Sequence, residues 1–129
     1  STQTDTETVA HLVGQEMKAG KGPVEAVGAV LPRLRGAFAL AFVFEGNENL
    51  LIGARKGSPL AVGYGEGEMY LGSDAIALAP FTSAVAYLEE GDWAILDRNS
   101  VEIRDEAGHV VQRPVIRSSA TAFLVDKGN

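Results

Sequence analysis

Cysteine is absent from this 129-residue sequence, which excludes disulfides, thiolate metal sites and a cysteine nucleophile within it. Histidine is scarce, with His11 and His109 the only two. Without cysteine or a second histidine nearby, zinc ligation is not expected, and no cofactor is expected either. Positive charge is also short: 11 Lys and Arg stand against 17 Asp and Glu, for a net charge of −6. No Lys/Arg cluster is available to neutralise phosphates, so nucleic acid and anionic membrane surfaces are not expected partners. No apolar run approaches the ~20 residues that span a bilayer, and no signal-peptide pattern opens the chain. A cytoplasmic location is the resulting expectation.

What is present points to one globular α+β domain. Hydrophobic residues make up 46% and charged residues 22%, an ordinary balance for a chain that buries a core. The stretch from Arg35 to Asp74 organises the rest. Between Ala37 and Phe44 it places Phe38, Leu40, Phe42 and Phe44 on one face of a strand and Ala37, Ala39, Ala41 and Val43 on the other. Successive strand side chains point to opposite faces. Two apolar faces therefore predict a central strand buried on both sides.

Upstream, Thr4 followed by Glu7 forms a capping-box pattern for a first helix striped by Val9, Leu12, Val13 and Met17. Gly20-Lys21-Gly22 ends it. Pro23 suits the first position of a second helix with Val24, Val27, Leu31 and Leu34 inward, and Pro32 ends or tightens that helix near Leu31. Downstream, Glu45 to Asn49 predicts a hairpin loop and Leu50 to Arg55 the returning strand. Lys56-Gly57-Ser58-Pro59 is a turn, and Leu60–Tyr64 with Met69–Gly72 makes a second hairpin. Ser73 or Asp74 caps a short helical turn over Ala75–Ala79. Turn clusters at 89–92, 97–100 and 105–108 then separate short strands of a β-meander.

Candidate chemistry is thin. Asp5, in the first helical turn, is either a helix-start residue or an anchor for a cationic ligand group such as an ammonium. Gly63, Gly65 and Gly67 lack the G-x-G-x-x-G spacing and sit beside Glu66 and Glu68, which predicts a hairpin turn rather than a phosphate cradle. His11 and His109 are expected at the surface. Ser58 and Ser73 have no G-x-S-x-G elbow. Glu89-Glu90-Gly91-Asp92 predicts exposed turn chemistry, a pairing of Asp74 with Asp92 has no spacing to support it, and Trp93 is expected in the core or at a sheet edge.

Several segments nevertheless fall into a known order. Thr4-Asp5-Thr6-Glu7 leads into Val9-Ala10-His11-Leu12. It is followed by Leu34-Arg35-Gly36-Ala37-Phe38, by Ala54-Arg55-Lys56-Gly57-Ser58-Pro59-Leu60 and by Gly72-Ser73-Asp74. Leu88-Glu89-Glu90-Gly91-Asp92 and Asp126-Lys127-Gly128-Asn129 complete the set. Together they resemble the glucosamine-6-phosphate synthase family, the isomerizing glutamine:fructose-6-phosphate aminotransferases, essentially end to end.

The resemblance implies a partial N-terminal-nucleophile (Ntn) hydrolase-like αββα sandwich, the class II glutamine amidotransferase fold. Residues 1–117 would be the C-terminal portion of the glutaminase domain, and 118–129 the start of a linker to sugar-isomerase domains. In that family an N-terminal cysteine attacks the glutamine amide, with its own α-amine as base. The cysteine, an arginine loop and an Asn-Gly oxyanion hole precede the T-D-T-E segment and are not in this sequence. Of the family's substrate contacts only Asp5 carries over, as the carboxylate that binds the glutamine α-amino group. The chain alone is therefore expected to be inactive. Its implied partners are glutamine as substrate of the whole enzyme, the N-terminal half of the glutaminase domain and the sugar-isomerase domains. An uncovered apolar face would also favour a homo-oligomer. The alternative is a stand-alone, non-catalytic binding or scaffold module with an Ntn-like fold.

Overall fold

The computed structural model describes residues 5–117. Asp5 caps the first helix, α1 (Thr6–Lys18). Its Oδ1 accepts from the N–H groups of Glu7 at 2.8 Å and Thr8 at 3.3 Å, satisfying two of the donors that a helix start leaves open. The cap thus falls one residue later than the capping box centred on Thr4, which lies outside the described residues. Val9 and Val13 are buried, while Leu12 and Met17 pack at the margin. Helix α2 (Pro23–Val30) begins on Pro23, whose missing N–H is no loss at that position. Val27 and Val30 are fully buried. The chain tightens into a 3-10 turn over Leu31–Arg33, as Pro32 requires.

Two antiparallel sheets follow. The first has the order β1-β2-β6-β7-β8, built from β1 (Phe38–Phe44), β2 (Asn47–Lys56), β6 (Trp93–Leu96), β7 (Val101–Arg104) and β8 (Val110–Val111). The second has the order β4-β3-β5-β9, from β3 (Ala61–Tyr64), β4 (Met69–Gly72), β5 (Ala84–Tyr87) and β9 (Ile116–Arg117). A four-residue helix, α3 (Ala75–Leu78), is capped by Asp74, whose Oδ1 accepts from Ala77 N at 2.8 Å. The expected single meander is therefore divided. β6, β7 and β8 run as one, but β5 belongs to the other sheet, and β9 rejoins it after the chain crosses over.

Strand parity sets the layers. Ile52, Ala54 and Trp93 face α1 and α2, joined by Phe38, Leu40 and Phe42. On the opposite side of the same sheet, Ala94, Leu96 and Ile103 meet Leu60, Val62 and Leu71 from the second sheet. Gly53 permits a close approach there, since a Cβ would stand 2.8 Å from both methyls of Leu71. The second sheet turns Ala61 and Val85 outward beneath Leu78 of α3. The order is helices, sheet, sheet, short helix. That is an α+β sandwich compatible with the implied one.

β1 departs from expectation. Among the described residues it pairs only with β2 and forms the sheet edge. Its aromatic face is half-buried against the helices, but Ala39, Ala41 and Val43 are exposed, Val43 to 80%. The reason is lateral: β4, the last strand of the second sheet, packs Leu71 against Gly53 of β2, and no described strand extends beyond it to cover β1. The connecting loop is also shorter than expected. Only Glu45 and Gly46 separate β1 from β2, with a bulge between Val43 and Phe44.

Candidate functional site

Asp5, the one substrate contact implied by resemblance, stands exposed at the start of α1. Its Oδ1 holds two backbone donors, so its position is fixed by the helix it caps. The positive end of the α1 dipole favours a carboxylate there. The site is thus built as a helix cap. An ammonium could share the carboxylate only from the side the cap leaves open.

A cleft of about 430 Å³ opens elsewhere, where α2 and the 3-10 turn overhang the ends of β2 and β6. Val24, Leu31, Phe38 and Trp93 form its apolar wall, with Lys56 and Arg104 at its rim. Asp5 does not line it. Arg104 is already engaged: it holds Glu102 at 2.7 Å and lies 5.4 Å from the centre of the Trp93 ring, an arrangement favourable as a cation–π pair. Trp93 is buried, as its strand position implies.

The turn at residues 89–92 leaves Glu89 and Glu90 exposed, as expected, but Asp92 departs from that expectation. Asp92 is the buried charged residue of the described core, only 1% exposed. Its carboxylate takes the Arg113 guanidinium in a fork, Nε at 2.7 Å and Nη2 at 3.0 Å. Oδ2 also accepts from Glu89 N at 2.7 Å. Burial of a carboxylate is tolerable only with such pairing. In return the Asp92 hydrogen bond holds the Arg113 pKa above its ordinary value. Glu90 accepts the Gly57 N–H with both oxygens, at 2.9 and 3.1 Å. Arg55 N donates to Asp92 O at 3.0 Å, and Gly91 N donates to Arg55 O at 3.1 Å. One short turn therefore binds the end of β2, the start of β6 and the crossing chain near Arg113. Sequence reasoning missed this pair. The only trace of it is an aspartate directly before the apolar run Trp93–Leu96 and an arginine twenty-one residues on.

The remaining candidates are scattered. His11 is exposed, and His109 Nδ1 lies 3.5 Å from Asp105 Oδ2 at the surface. The Asp105 pKa is lowered, chiefly by the His109 backbone N–H. Asp97 is likewise lowered, first by the Asn99 N–H. The three glycines shape the β3–β4 hairpin, where Gly65 N donates to Glu68 O at 3.0 Å and Gly67 adopts φ 73°. Asp74 caps α3 and Asp92 belongs to Arg113, so they do not form a pair. Among the described residues no group of three or more His, Asp or Glu is placed to hold a metal ion.

No protein-family model matches the chain. Curated proteins do. Over 128 residues it is 68% identical to the glutamine–fructose-6-phosphate aminotransferase (isomerizing) of Brucella abortus, covering 99% of this chain and 21% of that protein. Nearly the whole of this chain is thus similar to a part of that enzyme. The Bradyrhizobium diazoefficiens enzyme of the same name is 61% identical over 128 residues, again 99% and 21%. The Zymomonas mobilis enzyme is 58% identical over 127 residues, covering 98% of this chain and 21% of its own length. The chain spans about a fifth of the length of these relatives. Against the aminotransferases, the quoted segments acquire structural reasons. Thr6-Glu7 opens α1 on the Asp5 cap, and Leu88–Asp92 is the turn that Gly57 and Arg113 both grip.

Proposed function

We propose that this chain is a segment of the glutamine-hydrolysing domain of an isomerizing glutamine–fructose-6-phosphate aminotransferase. In the whole enzyme that domain would release ammonia from glutamine for transfer to fructose 6-phosphate. The single observation carrying the reading is 68% identity across 99% of the chain. The two-sheet sandwich flanked by helices supports the finer assignment to the class II glutamine amidotransferase fold. Residues 1–117 would then be its C-terminal portion, and 118–129, outside the described residues, would begin a linker to sugar-isomerase domains.

On this reading Asp5 binds the glutamine α-amino group, and the 129 residues alone carry no route to catalysis. Amide hydrolysis of this kind requires an activated nucleophile and donors for the developing oxyanion. The sequence contains no cysteine, and the described carboxylates and histidines do not converge on a substitute. Incubating the chain with glutamine is expected to give no ammonia above a buffer blank. Measurable release would overturn the assignment of the nucleophile to a missing half. The open edge and exposed small-residue face of β1 favour partners: the remaining strands of the domain in the whole enzyme, and a second copy for the isolated chain.

A further inference from the structure

After β8 the chain leaves the five-stranded sheet, crosses the side of the sandwich and joins the four-stranded sheet as β9. Little apolar burial holds this crossing. Val110, Val115 and Ile116 are all prominently exposed, and among the described residues β9 gives two residue pairs to β5. Its firm attachment is Arg113, whose side chain is 17% exposed and forked onto the carboxylate of Asp92. The same carboxylate holds Glu89 N, closing the turn at 89–92 beside the backbone bonds that tie Gly91 and Asp92 to Arg55. Glu90 of that turn grips Gly57, and Gly57 sits against Ala37 at the entry to β1, close enough that a Cβ would come within 2.7 Å of the Ala37 Cβ.

We propose that residues 112–117 form a strap that opens and closes as a unit, with the Arg113–Asp92 fork as its lock, and that the state of the lock is felt at Gly57. When Arg113 leaves, Asp92 is buried with an uncompensated charge, the costly half of a broken buried pair. The carboxylate must then turn out to water. The Glu89–Asp92 turn loosens with it, and Glu90 releases the Gly57 amide. A displacement on the crossing strand is thereby carried through the turn at 89–92 to Gly57 and the entry to β1, along contiguous hydrogen bonds, by one element with two arrangements. The inference concerns coupling within the chain and stands independently of the proposed activity.

Hydrogen exchange of individual amides in the 129-residue chain tests it. Arg113→Met keeps the apolar stem and removes the charge. It is expected to speed exchange at Glu89 and Gly57 by about tenfold or more while Val27 and Ile52 keep their protection. Arg113→Lys, which retains a charge but cannot fork, is expected to be intermediate. The decisive variant combines Asp92→Asn with Arg113→Met. With no buried charge left, Gly57 protection recovers although the strap remains unlocked. Unchanged exchange at Gly57 in Arg113→Met would overturn the proposal. So would a rise of equal size at Val27 and Ile52, which reports general loosening, or a double variant no better protected than Arg113→Met.

Discussion

Substitutions at Asp5 can separate its structural role from its proposed binding role. In the structure the carboxylate caps α1 through two backbone donors, at 2.8 and 3.3 Å. Asparagine retains a side-chain oxygen and ranks with aspartate as a cap. Asp5→Asn therefore loses only the attraction of a charge to the helix dipole, about 0.3–1 kcal/mol at an exposed helix start. Asp5→Ala loses the cap as well, for a total of about 1–2 kcal/mol. Urea unfolding of the 129-residue chain is expected to rank wild type above Asp5→Asn, and Asp5→Ala last, at a common m-value. Binding reverses the emphasis. A charged partner lost from an ammonium contact is worth about 1.5–3 kcal/mol, so in an aminotransferase of the relatives' full length both variants should lose about 10- to 150-fold in kcat/KM for glutamine. Glutaminase kinetics at saturating sugar phosphate would read this directly. If Asp5→Asn kept wild-type kcat/KM while unfolding as calculated, Asp5 would be a helix cap and nothing more. If the two variants unfolded alike, the hydrogen bonds to Glu7 and Thr8 would not be what stabilises the helix start.

Two further outcomes follow from other parts of the fold. Light scattering of the isolated chain should give a mass of at least twice 13.6 kDa at high micromolar concentration, because β1 is an uncharged edge strand with an exposed apolar face; a monomer there would show that the edge is adequately protected by its bulge. Asp105 has a folded pKa below its ordinary value, so its stabilisation is fully present above the ordinary carboxylate pKa near 4 and is lost as pH falls through the lower folded value. An NMR titration should place the Asp105 midpoint below that of an unstructured aspartate and move the His109 amide with it, and an unshifted midpoint would remove the turn's hydrogen bonds as its cause.

Elements with a local cause were legible in the sequence. Pro23 starts α2, Pro32 tightens its end, and the glycine-rich turn at 65–67 closes a hairpin, because each depends on residues within one turn of chain. The cap shifted from Thr4 to Asp5 because adjacent residues can both cap and only the local backbone decides between them. β1 departs from its pattern for a different reason. Its alternation reports that both faces are apolar, but not whether a second sheet extends far enough to cover the small one. Asp92 reads as a turn residue because carboxylates are rarely buried, and its justification, Arg113, lies beyond three intervening strands. Asp5 stood out by resemblance, while the hub at 88–92 emerged only when residues distant in sequence were brought together.

Among the described strands, β2 and its neighbour β6 alone face both cores, since Trp93 of β6 meets the helices while Ala94 and Leu96 meet the second sheet. Through Ile52 and Ala54 β2 is a wall of the helix-facing core, and through Leu51 and Gly53 it is a wall of the core between the sheets. Neither core can melt alone, since loss of either would leave one apolar face of β2 in water. The layers are therefore joined into a single cooperative unit by the paired strands β2 and β6. Folding, on this geometry, cannot be completed layer by layer: the β2–β6 pair is the shared platform on which both sides condense.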